Sequence, residues 1–262
     1  MFFELPEMTA HVREDGPGGG APIVFVNSLG SDLRIWDDVV TNLARDYRCV
    51  RYDKRGHGLS EDAGPYDRET QTNDLLAVLD ACDLERATLV GISVGGLIAM
   101  NAALTSPERI RALVLCDTAA RIGSVDSWNE RIESVETEGL SATAPWIVER
   151  WFAPDFGSRR PADLRGYSTM LSRTSQRGYV GTCEMLRATD LRDLVGLINC
   201  PTLVITGSHD LATPPDVGKA LTRAIPGARF AKIEGAGHLA CVESPEVLSR
   251  LARGVLEEDI RG

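Results

Sequence analysis

The sequence predicts an α/β protein with a mostly parallel central sheet, helices on both faces and an inserted helical subdomain. Three observations predict it. Short β-branched runs alternate with segments of helical period along most of the chain. The strand-like runs are almost continuously apolar, as strands covered on both faces are. From about Arg121 to Val195 the alternation stops.

In chain order, "MTAHVRE" has the β-branched and alternating character of an early strand, and the glycine-rich "GPGGG" turns into the apolar run "PIVFVNS" at 22–28. "LRIWDDVVTNLARD" carries Leu33, Trp36, Val39, Val40 and Leu43 at helical spacing, and "YRCVRYD" follows as a strand. "ETQTNDLLAVLDACDL" is helical through Leu75, Leu79 and Cys82, "RATLVGI" is a strand, and the helix after it ends at "TSPERI". "IRALVLCDTA", "CPTLVITG" and "ARFAKIEG" are further strands. "PPDVGKALTRAIP" and "SPEVLSRLARGVLEE" are helices. Residues 121–195 lack a strong strand and mix Trp128, Trp146, Trp151, Phe152, Phe156, Tyr167 and Tyr179 with amphipathic pieces. The expected organisation is one unit, with residues 1–120 and 196–262 as the α/β core and 121–195 as a helical lid.

Composition excludes several functions. At 262 residues and 43% hydrophobic, the chain can bury a large core. A net charge of −10 provides no electrostatic footprint for nucleic acid or an anionic membrane surface. No apolar run approaches the roughly 18 residues of a membrane span, and "MFFELPEM" has neither a basic n-region nor a small-residue cleavage site. A soluble, cytoplasmic protein with a small-molecule partner is expected, and nothing in the sequence sets its oligomeric state. Cys49, Cys82, Cys116, Cys183, Cys200 and Cys241 show no pairing rhythm and no ligand-spaced cluster, so they read as reduced, mostly buried thiols and not as a metal site.

The chemistry concentrates at "GISVGG". Ser93 stands between Gly91 and Gly95 where a strand passes into a helix, a G-x-S-x-G pattern that suits a nucleophile on a tight elbow. At a tight turn of this kind side chains at the flanking positions would collide, and the helix N-terminus offers free N–H groups to an oxyanion. An ordinary tight turn would use the same glycines, and the position between strand and helix favours the nucleophile. A serine hydroxyl needs a base, itself oriented by an acid. Of the four histidines, His11 lies in a strand, His57 in the polar turn "DKRGHGLS", and His209 directly before an aspartate. His238 follows the last strand in a small-residue loop, at the sheet edge where open α/β proteins place their sites. Two carboxylates compete for the acid. Asp210 follows "TLVITG" and gives the chain order Ser, Asp, His; Asp117 ends "LVLCD" and reads as an orienting residue. Oxyanion donors are expected from the N–H of Val94 and of Leu29, the latter in the loop after "IVFVN".

"RYDKRGHGLS", "GISVGG", "GSHDLATPP" and "GAGHLACVESPE" occur in an order that resembles the α/β-hydrolase family over essentially the whole chain. Within it the chain is most similar to the 3-oxoadipate enol-lactonases, through "NSLGSDLRIW", where Asn27 and Ser28 stand in place of the commoner His-Gly, and through "CDTAARIGSVDSWNERI" and "WFAPDF". The resemblance implies attack by Ser93 on the carbonyl of a small anionic enol lactone, an acyl-enzyme, and release of 3-oxoadipate, with no metal or organic cofactor. A substrate carboxylate needs a local cation. Residues 121–195 hold ten arginines, no lysine and eleven Asp plus Glu, far nearer balance than the chain's −10. Arg121, directly after a strand, is the expected carboxylate partner and Trp128 the expected apolar wall; a surface arginine is the plainer reading of Arg121. Carboxylesterase, carbon–carbon hydrolase or perhydrolase chemistry on the same residues is the alternative, and a non-catalytic sensor is a third. Dehalogenase and epoxide-hydrolase chemistry is disfavoured because those enzymes carry Asp where this chain has Ser93.

Overall fold

The computed structural model describes residues 1–261, with side chains through Glu257. Its sheet contains β1 (Phe2–Glu4), β2 (Thr9–Asp15), β3 (Ala21–Val26), β4 (Tyr47–Tyr52), β5 (Ala87–Ile92), β6 (Ile110–Cys116), β7 (Thr202–Gly207) and β8 (Arg229–Ile233). The eight strands are ordered β1-β2-β4-β3-β5-β6-β7-β8. β1, β2 and β4 pair antiparallel, and every pairing from β4 through β3 to β8 is parallel. All positions of β5 and β7 are buried, which explains why neither run has a polar alternation. β1 escapes the sequence reading because "FFE" is too short to show a period, and Phe2 is 60% exposed.

Among the helices of the core, α1 (Asp37–Leu43) and α11 (Pro245–Arg261) pack on one another and cover one face, while α2 (Arg68–Ala81) and α3 (Val94–Thr105) cover the other. The helical stretch expected over 33–46 divides in two. Asp32 accepts the Arg34 N–H, and Leu33–Trp36 form a tighter 3-10 turn before α1 begins. α2 starts where Asp67 accepts the Thr70 N–H at 2.8 Å, and α3 ends before Pro107, which bars a helical residue ahead of it.

Five helices fill the interval between β6 and β7: α4 (Val125–Glu138), α5 (Leu140–Glu149), α6 (Phe156–Arg159), α7 (Pro161–Ser172) and α8 (Gln176–Ala188). α4 opens on a reciprocal Ser124–Ser127 cap and closes at Gly139, whose φ of 82° permits the turn. α4 packs on α8, and α5 on α7. Two elements complete the chain: α9 (Pro215–Ala224) against β7 and β8, and the short α10 (Ala240–Glu243) after the last strand. The cysteines form no disulfide, and all but Cys200 are buried. Among the described residues no helix is long and apolar enough to cross a membrane.

Candidate active site

The parallel strands deliver the predicted residues to one edge. Ser93 follows β5, Asp117 follows β6, Asp210 lies just beyond β7 and His238 beyond β8, at the carboxyl ends of four neighbouring strands. Ser93 has φ 57° and ψ −122°, a conformation side chains rarely adopt. The turn is held by the Ser93 N–H donating to the Cys116 carbonyl at 3.0 Å and by Thr118 Oγ1 donating to the Ser93 carbonyl at 2.7 Å. A Cβ on Gly91 would fall 2.4 Å from the Gly95 carbonyl oxygen, and one on Gly95 would fall 2.2 Å from that of Val26. Only glycine lets strand and helix approach this closely. The same approach sets the start of α3 against residues 26–27, so the N–H of Val94, which has no intrahelical acceptor as the first residue of its helix, comes from an element adjoining the loop that carries Leu29.

His238 and Asp210 are paired. Nδ1 of His238 lies 3.0 Å from each Asp210 oxygen, and both side chains are buried. Asp210 Oδ1 also accepts the N–H groups of Ala212 and Thr213, and Oδ2 accepts the Thr213 hydroxyl at 2.6 Å. Burial works against the charge of Asp210, but the facing imidazole and these donors outweigh it and hold its carboxyl down at about 2. The two loops are in contact: the His209 N–H donates to the Ala236 carbonyl at 2.8 Å.

Asp117 is fully buried, with Oδ1 accepting the Gly207 N–H at 2.7 Å and Oδ2 without a partner. Burial, reinforced by the Asp210 carboxylate beside it, pushes its carboxyl well above the usual range. Burial thus disfavours the charged form of Asp117, whereas Asp210 is held ionised facing the imidazole.

Beneath the loop after β3, the buried Lys54 ammonium donates to the Ser28 carbonyl at 2.9 Å. Burial lowers its pKa to about 7, against the pull of Asp53 and Asp32. His57 donates from Nδ1 to the Arg55 carbonyl at 3.0 Å and leaves Nε2 unpartnered. Burial, and then the Lys54 charge, keep it neutral. His11 pairs with Asp53 at 2.8 Å.

The helical insertion roofs this edge. Gly30 meets Leu171 of α7 and Tyr179 of α8, where a Cβ would come within 2.4 Å and 3.0 Å. On the other side the Leu239 N–H donates to the Trp151 carbonyl at 2.8 Å, and Glu243 accepts the N–H groups of both Gly237 and Ala153. Under this cover Ser93 is 6% and His238 4% exposed. A separate cleft of about 800 Å³ between α7 and the loop after β3 is lined by charges of both signs, Asp32, Asp38 and Asp163 with Arg13, Arg34 and Arg173, and reaches none of Ser93, Asp210 or His238.

Arg121 and Trp128 are placed less simply. The Arg121 guanidinium donates to Asp190 at 3.3 Å, which Arg192 also holds. Trp128 Nε1 donates to the Ile122 carbonyl at 2.7 Å, so the indole folds back over its own helix start. One turn along α4 from Trp128, Arg131 is different. Its guanidinium sits 4.5 Å from the centre of the Trp146 ring and donates to the Tyr179 hydroxyl at 3.0 Å, the same Tyr179 that abuts Gly30. Among the described residues it has no carboxylate within salt-bridge distance. Sequence reasoning missed it because nothing local separates it from the other nine arginines of the insertion.

A parallel sheet whose crossover carries a serine on such an elbow is the architecture of the α/β hydrolases. The family described as alpha/beta hydrolase fold matches residues 21–245, and the chain belongs to it. Among its relatives, 3-oxoadipate enol-lactonase 1 of Acinetobacter baylyi is 34% identical over 95% of this chain and 93% of its own length. The crystal structure of the enol-lactonase from Burkholderia xenovorans LB400 superposes with a TM-score of 0.95 at 38% identity, covering 98% of this chain and 100% of that one. A thermophilic esterase from Thermogutta terrifontis, solved with malate bound, follows at 26% identity and a TM-score of 0.92, covering 99% of each chain. The protein is a hydrolase acting on ester or lactone bonds.

Proposed function

We propose that the protein is a serine hydrolase that opens 3-oxoadipate enol-lactone to 3-oxoadipate in aromatic-compound catabolism. The observation that carries this reading is the His238–Asp210 pair at the same sheet edge as the strained Ser93, in a chain similar along its whole length to enol-lactonases. With Nδ1 committed to Asp210, the other imidazole nitrogen is free to take the Ser93 proton as Oγ attacks the lactone carbonyl. The N–H groups of Leu29 and Val94 receive the oxyanion. Ring opening expels an enol, an easier leaving group than an alkoxide, and leaves an acyl-enzyme. Water activated by His238 then releases the product, whose enol tautomerises to the ketone.

Residues 121–195 act as a lid in this scheme and supply the cation for the substrate carboxylate. Arg131, which has no carboxylate partner among the described residues, is better disposed for that than Arg121, which must first leave Asp190. Trp128 contributes apolar wall at the base of the same helix. Hydrolysis of simple carboxylic esters is the second reading, favoured by the likeness to the Thermogutta esterase.

Turnover of the enol lactone, measured beside p-nitrophenyl acetate, tests the proposal. A kcat/KM for the lactone at least tenfold above that for the ester supports it; the reverse ranking makes the protein a general esterase.

A further inference from the structure

Lys54 is a lysine with no obvious reason to be buried. It is 1% exposed, and among the described residues its ammonium has no carboxylate within 4 Å; its hydrogen bond is to the Ser28 carbonyl at 2.9 Å. The nearby acids are occupied by other donors. Asp53 accepts from the Leu33 and Leu59 N–H groups and faces His11, and Asp32 is held by Arg34. His57, the remaining titratable group facing Lys54, is neutral and cannot compensate the charge. A buried ammonium without an ion-pair partner is expensive, and a methionine or leucine would fill the same volume without that cost.

The carbonyl it grips belongs to the peptide unit that ends in the N–H of Leu29. In a trans peptide the C=O and the N–H point in opposite directions from one delocalised plane. A cation on the oxygen draws electron density away from the nitrogen and makes the N–H a stronger donor, since hydrogen bonds in a chain polarise one another. Adding peptide and hydrogen-bond lengths puts the ammonium roughly 7 Å from an oxyanion on the far side. In a site with Ser93 and His238 almost closed to solvent, charge is screened weakly at that range.

We infer that Lys54 is a positioning residue of the oxyanion site, its ammonium fixing and polarising the Ser28–Leu29 peptide from behind so that the Leu29 N–H is preorganised for the negative charge of the tetrahedral intermediate. The inference rests on the reading of Leu29 as an oxyanion donor in a Ser93-dependent reaction. It assigns a task to the second position of "DKRGHG" that neither substrate contact nor core packing explains. The ammonium is the working form. Burial brings the pKa to about 7, so its contribution is present at low pH and is lost as pH rises through that region.

The experiment compares wild type, Lys54→Met and Lys54→Gln, with Ser93→Ala as control, using p-nitrophenyl acetate for turnover and phenylboronic acid, which forms a tetrahedral adduct on an active serine, for binding. Met removes donor and charge; Gln keeps a neutral donor and is the variant to read if Met does not fold. The expected loss is roughly 10- to 50-fold in kcat with KM nearly unchanged, less than the loss of a whole oxyanion donor, and phenylboronic acid should weaken by a similar factor. The wild-type kcat should decline as pH rises past about 7, and neither variant should show that limb. A purely structural Lys54 would lower the melting temperature yet leave kcat, boronate affinity and the alkaline limb of the folded enzyme in place, and that result overturns the inference. Wild-type kcat and pH profile in Lys54→Gln would do the same. Turnover that survives Ser93→Ala overturns the underlying reading instead.

Discussion

Both carboxylate oxygens of Asp210 stand 3.0 Å from Nδ1 of His238. One ring nitrogen is thereby shared between two equivalent acceptors, and the imidazole is fixed in the tautomer that leaves its other nitrogen basic. Asp117, a strand away and equally buried, holds the Gly207 N–H instead.

This asymmetry sets an expected ranking. Asp210→Asn should lower kcat by roughly 10²- to 10⁴-fold, because an amide N–H facing Nδ1 favours the wrong tautomer. Asp117→Asn should cost far less, since Asp117 holds the Gly207 N–H, not the imidazole, and burial already disfavours its charge. Steady-state turnover of both variants decides it, and the reverse order would move the acid to Asp117.

The two carboxyls also imply opposite pH dependences of stability. Asp210 is depressed from 3.8 to about 2, so its contribution, about 2 kcal/mol, is present above pH 3.8 and is lost as pH falls toward 2. Asp117 is raised, so its own contribution falls as pH climbs above 3.8, a loss that Asp117→Asn lacks. Urea titrations across pH should show the stability difference moving in favour of Asp117→Asn with rising pH. A difference independent of pH would contradict the raised pKa of the Asp117 carboxyl.

Two substitutions at the elbow separate chemistry from architecture. Ser93→Ala keeps a Cβ at the same φ and should fold normally while losing 10³-fold or more in kcat, about the scale of removing a nucleophile. Gly95→Ala drives a methyl to 2.2 Å from the Val26 oxygen, and the forced shift should cost about 2 kcal/mol or more along with activity. Thermal melts set beside turnover check both; an unperturbed Gly95→Ala would mean the strand–helix approach is slack.

Substrate charge is read from a two-by-two comparison. Arg131→Ala should cut kcat/KM for the anionic lactone by roughly 30-fold or more and spare a neutral ester, because truncating one partner of a desolvated charge pair is costly. Arg121→Ala should do less, as Asp190 already neutralises that side chain. Equal losses on both substrates would make Arg131 structural.

Much of this was legible in the sequence because it is written in local pattern. Periodicity placed β2 through β8 and the helices between them, and the residues flanking Ser93 announce a crowded turn. Asp210 and His238 could be paired because parallel topology puts the residues after successive strands on one edge. What was not legible depends on contacts between distant segments. The choice of Asp210 over Asp117 follows from the chain order, but Arg121 and Arg131 differ only in that the folded insertion brings Asp190 to the first and Tyr179 and Trp146 to the second. Lys54 gave no signal, since its burial against Ser28 links residues 26 apart. Glu243 gave none either, as its partners are backbone groups of Gly237 and Ala153.

That last tie couples the insertion to the loop that carries His238. The turn at 151–153 and the segment bearing His238 are stitched together by the Leu239 N–H on Trp151 and by the shared Glu243 carboxylate. Moving the turn at 151–153 would pull on the loop that keeps His238 within 3.0 Å of Asp210. α4 and α8 are tied to one another instead, through their own packing and the exposed Arg187–Asn129 contact, both within the insertion. The insertion and the loop that holds His238 on Asp210 therefore form one mechanical unit at this corner: whatever displaces residues 151–153 also strains the His238–Asp210 contact.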